Sequence, residues 1–166
     1  MNRLQEFLKE LNNEAVTTRK MLSIIPNDKF DWKPHPKSMN IRELAGHIAE
    51  LPAWVGMVLN TSELDFAKNE YQAPNLNLTE TVLAFFETNL ADGQKQLHNA
   101  KEETLDETWI LRNGETIYSE TSKADFIRIT LSQIIHHRAQ LGVFLRLLDI
   151  PIPGSYGPSA DDESFN

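Results

Sequence analysis

The chain has 166 residues, 40% hydrophobic and 24% charged, and its 16 basic against 24 acidic side chains leave a net charge of −8. Seven Gly, eight Pro and no cysteine exclude collagen-like, disordered and disulfide-framework classes, and with them thiolate catalysis, cysteine zinc sites and iron–sulfur clusters. The acidic balance, with no basic stripe, argues against nucleic acid as a partner.

A first helix is predicted over residues 2–24, where Leu4, Leu8, Leu11, Ala15 and Leu22 recur at helical spacing until Pro26. A proline-rich loop through Trp32, Pro34 and Pro36 follows. Asn40 with Glu43 three residues on forms a capping-box pattern, and a second helix runs from it to about Leu59. Pro52 lies inside that helix and is expected to kink it. Residues 61–76 are polar and aperiodic, and Asn77 is expected to cap a third helix carrying Leu83, Phe86, Leu90, Gly93 and Leu97. Between 107 and 119 the period shortens around Asn113-Gly114, a hairpin signal with those two residues at the turn. Ser122 and Asp125 open the fourth helix, which continues to about Leu148 before Pro151 and Pro153.

Four amphipathic helices of about 20 residues predict an all-α four-helix bundle with a small β-hairpin between helices three and four. Residues 1–153 form the bundle domain, and 154–166 a tail expected to lie extended over the surface or fray. The connection between helices two and three is long enough to let them run parallel, without requiring it. No apolar run marks a signal peptide, and none approaches the roughly 18 residues of a membrane span. A soluble cytoplasmic protein acting on a small molecule is expected.

In a bundle, sites arise where polar side chains interrupt the inward stripe. With about 100° per residue, Gln133 and His137 fall one turn apart among Phe126, Thr130, Phe144 and Leu148. Arg138 falls about 100° to one side of His137 and His136 as far to the other. On the second helix His47 lies beside Leu51 and Val58, with Trp54 one heptad on; Glu43 and Glu50 flank His47, either able to orient its ring. His47, Gln133 and His137 thus form a candidate divalent-metal site, with His136 either an outer donor or an exposed or interfacial residue, and Trp54 either packing in the core or rim or lining the pocket. The competing interpretation is a pair of core histidines bonded to each other or to buried water. His35 and His98 read as surface residues, and no general base stands out.

Several of these residues also form a recognisable pattern. Gln133, His136, His137, Arg138, Ala139, Gln140 and Leu141, continuing through 145–148 and 150–161, resemble the C-terminal signature of the DinB-like (damage-inducible) bundle proteins. Residues 43–51, preceded by Phe30, Asp31, Trp32, Lys33 and Pro34, resemble that family's first histidine block. The resemblance implies an up-down-down-up bundle, often a homodimer, with nickel or zinc held by three histidines. It implies a thiol S-transferase or hydrolase using a metal-activated thiol or water, with a low-molecular-weight thiol as possible cosubstrate. The alternative is a non-catalytic small-molecule-binding or stress protein with a degenerate site. Two family ligands fall on His47 and His137; the remaining one falls on Gln133, where the family usually has histidine. An amide oxygen is a weaker donor than imidazole, so metal affinity should drop.

Overall fold

A computed structural model describes residues 2–69 and 71–163, and four long helices frame it. α1 (Arg3–Ser23) begins at Asn2, whose side chain accepts from Gln5 N at 2.9 Å while the Gln5 side chain accepts from Asn2 N at 3.2 Å. α2 (Ile41–Asn60) begins with the same reciprocal pair, Asn40 and Glu43. α4 (Lys123–Leu147) begins at Ser122, whose hydroxyl oxygen accepts from Asp125 N. These caps occupy N–H groups that a helix start leaves without partners.

α3 (Thr79–Asn99) departs from the expected pattern. Asn77 turns to Asn75 rather than capping, and Leu78 is the boundary residue. The acceptor comes instead from the α1–α2 connection: Asn27 Oδ1 receives Thr79 N at 2.9 Å, and the Thr79 hydroxyl donates to Ile25 O.

The helices run up, down, down, up. Arg3 at the start of α1 pairs with Glu102 and Asp106 beyond the end of α3, so α1 and α3 are antiparallel. Asn89 donates to Ala49 O and Asn60 donates to Gln96, so α2 and α3 are parallel. Lys123 at the start of α4 donates to Leu59 O near the end of α2, which sets α4 antiparallel to α2. Glu10 with Arg128 and Glu14 with Arg138 align α4 parallel to α1.

The long connection that permits the parallel pair also contributes a strand, β1 (Glu63–Asp65), inside the stretch that lacks periodicity. β1 pairs in parallel with β2 (Thr108–Asn113), which pairs antiparallel with β3 (Thr116–Ser122). Asn113 pairs with Thr116, so the hairpin turn is Gly114-Glu115, one residue later than expected. Only Gly114 needs a positive φ, 56°, as two-residue turns with glycine first do. Asp65 Oδ1 accepts from Gly114 N at 2.9 Å and Ala67 N at 3.0 Å, joining β1 to that turn.

α2 is the most enclosed helix, with Ile41, Ala45, Ile48, Ala49, Val55 and Val58 fully buried between α3 and α4. Trp109 from β2 closes one end of the core, packing its ring at a tilt of 45° against Phe126, centroids 4.2 Å apart, and donating Nε1–H to the Thr61 hydroxyl at 3.0 Å. The tail is held through residue 162: Arg146 pairs with Asp161, Asp161 also accepts from Ile152 N, and Gly154 N donates to Asp162; residues 164–166 lie outside the described residues. Residues 154–163 therefore lie along the bundle rather than fraying.

α2 and α3 approach closely at one point. Pro52 has no N–H to offer the preceding turn, and Gly93 of α3 lies over its carbonyl; a Cβ at Gly93 would sit 2.5 Å from Pro52 O. Gly93→Ala is expected to lower stability by roughly 1–3 kcal/mol, because two backbones must separate to admit the methyl group. Urea denaturation of the variant measures this, and an unchanged midpoint would mean that the helices separate at no cost.

Candidate metal site between α2 and α4

His47 and His137 face one another across the border between α2 and α4. Their ring centroids are 4.7 Å apart with the planes at 74°, and both side chains are half-buried. Each ring is held by the residue three positions further along its own helix, a spacing that keeps both on one face. His47 Nδ1 lies 2.6 Å from Glu50 Oε1, and His137 Nδ1 lies 3.0 Å from Gln140 Oε1. The Glu50 carboxylate accepts, so His47 Nδ1 carries a proton; the Gln140 amide oxygen gives His137 Nδ1 the same role, and each ring in its neutral form then has its lone pair on Nε2.

The separation of the two rings is compatible with one shared divalent ion. Metal–nitrogen bonds of about 2.0–2.1 Å, meeting at angles from about 90° to tetrahedral, separate two ring centroids by about 4.5–5.2 Å. The observed 4.7 Å falls within this range. Burial holds the His137 pKa below its ordinary value; neighbouring His47 and His136 add to the effect, and the Gln140 hydrogen bond opposes it. A neutral imidazole is the form that ligates.

Glu50 does more than orient His47. Its second oxygen accepts from the Tyr71 hydroxyl at 3.0 Å, and burial, reinforced by the Glu50 charge, keeps the Tyr71 pKa well above the ordinary tyrosine value. Glu43, the other flanking carboxylate, is committed to Asn40 N at the start of α2. Trp54 stands edge-on to His47 at 6.1 Å, as pocket wall. Beside His47 and Glu50 opens a cavity of about 570 Å³, walled by Met39, Trp54, Phe66, Tyr71 and Pro74, with Lys37 and Arg42 on its lining.

The remaining ligand candidate is placed differently from the expectation. Gln133 and His136 are exposed; with Ile129 and Ser132 they line a shallow depression of about 310 Å³ on the outside of α4. The His136 ring is 4.9 Å from that of His137. Among the described residues, no group of three or more His, Cys, Asp or Glu could hold a metal ion.

The reason lies in the rotation of α4. Its buried residues, from Phe126 and Thr130 through Ile134 and Leu141 to Arg138, Leu145 and Gly142, span an arc from about −20° to +140° relative to His137. The inward stripe is therefore centred about 60–70° from where Phe144 and Leu148 suggest. His137 sits on the border of that arc and Gln133 just outside it. Arg138, read from the sequence as lying to one side, is inside. It bonds Glu14 Oε2 at 2.7 Å, the Thr18 hydroxyl, and Ser155 and Tyr156 of the tail. His35 and His98 are exposed as expected.

The lowered His137 pKa gives a signed pH dependence for the metal-free protein. Below the unfolded value of about 6.5 the unfolded chain binds the proton more readily, so this contribution is complete above that pH and is lost as pH falls through the folded value. Urea unfolding between pH 7.5 and 5 is expected to give a steeper loss of stability on acidification in the wild type than in His137→Gln. Identical profiles would contradict the assignment.

The DinB family profile matches residues 1–164. YrdA of Bacillus subtilis (strain 168) is 24% identical over 163 residues, spanning 96% of this chain and 91% of YrdA. YfiT from Bacillus subtilis, described as a probable metal-dependent hydrolase with an unusual four-helix bundle topology, superimposes with a TM-score of 0.66 at 10% identity, covering 89% of each chain. The mycothiol-dependent maleylpyruvate isomerase superimposes with a TM-score of 0.61 at 12% identity, over 86% of this chain and 63% of the isomerase. With a family match over nearly its full length, the chain belongs to the DinB family.

Proposed function

We propose that this protein is a divalent-metal-dependent enzyme, a thiol S-transferase or hydrolase in which His47 and His137 ligate nickel or zinc and Gln133 completes the site weakly. The carrying observation is the two imidazoles at 4.7 Å, each with Nδ1 held by a neighbour and Nε2 left as a donor. Gln133, one turn before His137 and just outside the buried arc, would have to turn its side chain from solvent to meet a shared ion. A neutral amide in that position, with no carboxylate or third imidazole, favours weak binding. When bound, the metal lowers the pKa of a coordinated water or thiol toward neutrality.

The chain's own groups divide the remaining work. Glu50 fixes the His47 tautomer, as carboxylates behind ligating histidines do. Trp54, Met39, Phe66 and Pro74 give the adjoining cavity apolar walls suited to an organic electrophile or thiol cosubstrate. The relatives support the reading by their described activities, one a probable metal-dependent hydrolase and one a thiol-dependent isomerase.

Calorimetric titration of protein without a histidine tag tests the proposal. Nickel or zinc is expected to bind at one site per chain, binding is lost in His47→Ala and His137→Ala, and Gln133→His tightens it at least roughly tenfold. No binding in the wild type would leave the alternative, a small-molecule-binding protein with a degenerate site.

A homodimer is also part of this proposal. The outer face of α4 exposes Ile129, Val143 and Leu147 at 40, 59 and 60%, with Ser132, His136 and Ala139 continuing the three-and-four spacing of a helix-packing seam. Light scattering is expected to give twice the 19.0 kDa chain mass, falling to the single-chain mass in Val143→Glu. A wild-type monomer would reject it.

A further inference from the structure

We propose that Tyr71 is a positioning residue of this site: its hydroxyl holds the Glu50 carboxylate against His47 Nδ1, so a side chain on the α2–α3 connection determines which nitrogen of His47 faces the pocket. The proposal deepens the metal reading and rests on it only for the affinity measurement below.

Glu50 is the common element. Its side chain is 12% exposed, and its two oxygens are divided between His47 Nδ1 at 2.6 Å and the Tyr71 hydroxyl at 3.0 Å. The terminal torsion of a glutamate is broad, so one hydrogen bond leaves the carboxylate plane free to swing, whereas a second on the opposite oxygen fixes it. A swung carboxylate releases His47 Nδ1, and the imidazole can then place its proton on Nε2, the nitrogen that must carry a lone pair to ligate.

Tyr71 is suited to this by position. It lies 21 residues beyond Glu50, outside any regular element, with more than half of its surface exposed while its hydroxyl points back to α2. The same connection is seated on α2 nearby, where Pro74 lies beside Gly46 and Arg42 donates to Leu76 O at 3.1 Å. The ring also forms part of the cavity wall, so whatever occupies the cavity lies next to the group that fixes the tautomer.

Tyr71→Phe keeps the ring and removes only the hydroxyl. The imidazole ¹⁵N shifts of metal-free protein at pH 8 report the tautomer directly, and nickel titration reports affinity. The wild type is expected to show His47 protonated on Nδ1. Tyr71→Phe is expected to mix the two tautomers, weaken nickel roughly tenfold, as loss of an outer partner of a ligating histidine does, and keep the wild-type melting temperature. Glu50→Leu, which removes both accepting oxygens, should disturb the same two readouts, locating the effect in the carboxylate. An unchanged Nδ1–H tautomer in Tyr71→Phe overturns the proposal, whatever the metal result. If the wild type binds no nickel, the metal reading fails and the tautomer measurement alone decides the role of Tyr71.

Discussion

The buried pair of Arg138 and Glu14 sets the rotation of α4, and the site depends on that rotation. The two side chains are 3% and 8% exposed, and the guanidinium is further bonded to Thr18, Ser155 and Tyr156, while Tyr156 donates to Glu14. Removing one partner of such a pair strands a buried charge at a cost of about 3–5 kcal/mol, so rotating Arg138 out of the interior is unfavourable. With Arg138 inward, the adjacent His137 falls on the border of the buried arc, facing His47, and Gln133 falls outside it. The same network draws the chain end onto α1 and α4.

α2 supplies the complementary half. Because α2 lies between α3 and α4, most of its surface is buried, and its polar border toward α4 carries His47 and Glu50 on one line. The close approach at Pro52 and Gly93 fixes α2 against α3, and the parallel direction of those helices requires the long connection that brings Tyr71 and Phe66 back beside His47. Topology and site are thereby linked: a short α2–α3 turn would give neither a parallel pair nor a cavity wall at this place.

Much of this is legible in the sequence, wherever the determining interactions are local. The 3.6-residue period and the caps at Asn40 and Ser122 locate their helices, and helical spacing picks out His47 and His137, whose rings lie 4.7 Å apart across α2 and α4. Determinants that act across the chain are not legible. Asn27 caps α3 from 52 residues away, so Asn77 attracts an assignment it does not fulfil. β1 has three residues and owes its existence to β2 and the Asp65–Gly114 bond, leaving no periodic trace. The α4 stripe is misjudged because Phe144 and Leu148 are only partly buried while a charged residue, Arg138, is fully enclosed by partners 120 and 124 residues away. Glu50 is visible as one of two flanking carboxylates, but its preference over Glu43 appears only once Glu43 is seen capping α2, and nothing local marks Tyr71.

In the function proposed for this site, His47 and His137 present two Nε2 donors to one divalent ion. X-ray absorption at the nickel edge, on tag-free protein loaded with one equivalent of nickel, tests it most directly. Two imidazole nitrogens are expected at about 2.0–2.1 Å, with oxygen donors filling the remaining positions, and the imidazole signal is expected to fall in His137→Ala. A spectrum without imidazole scattering, or one unchanged by His137→Ala, would contradict it.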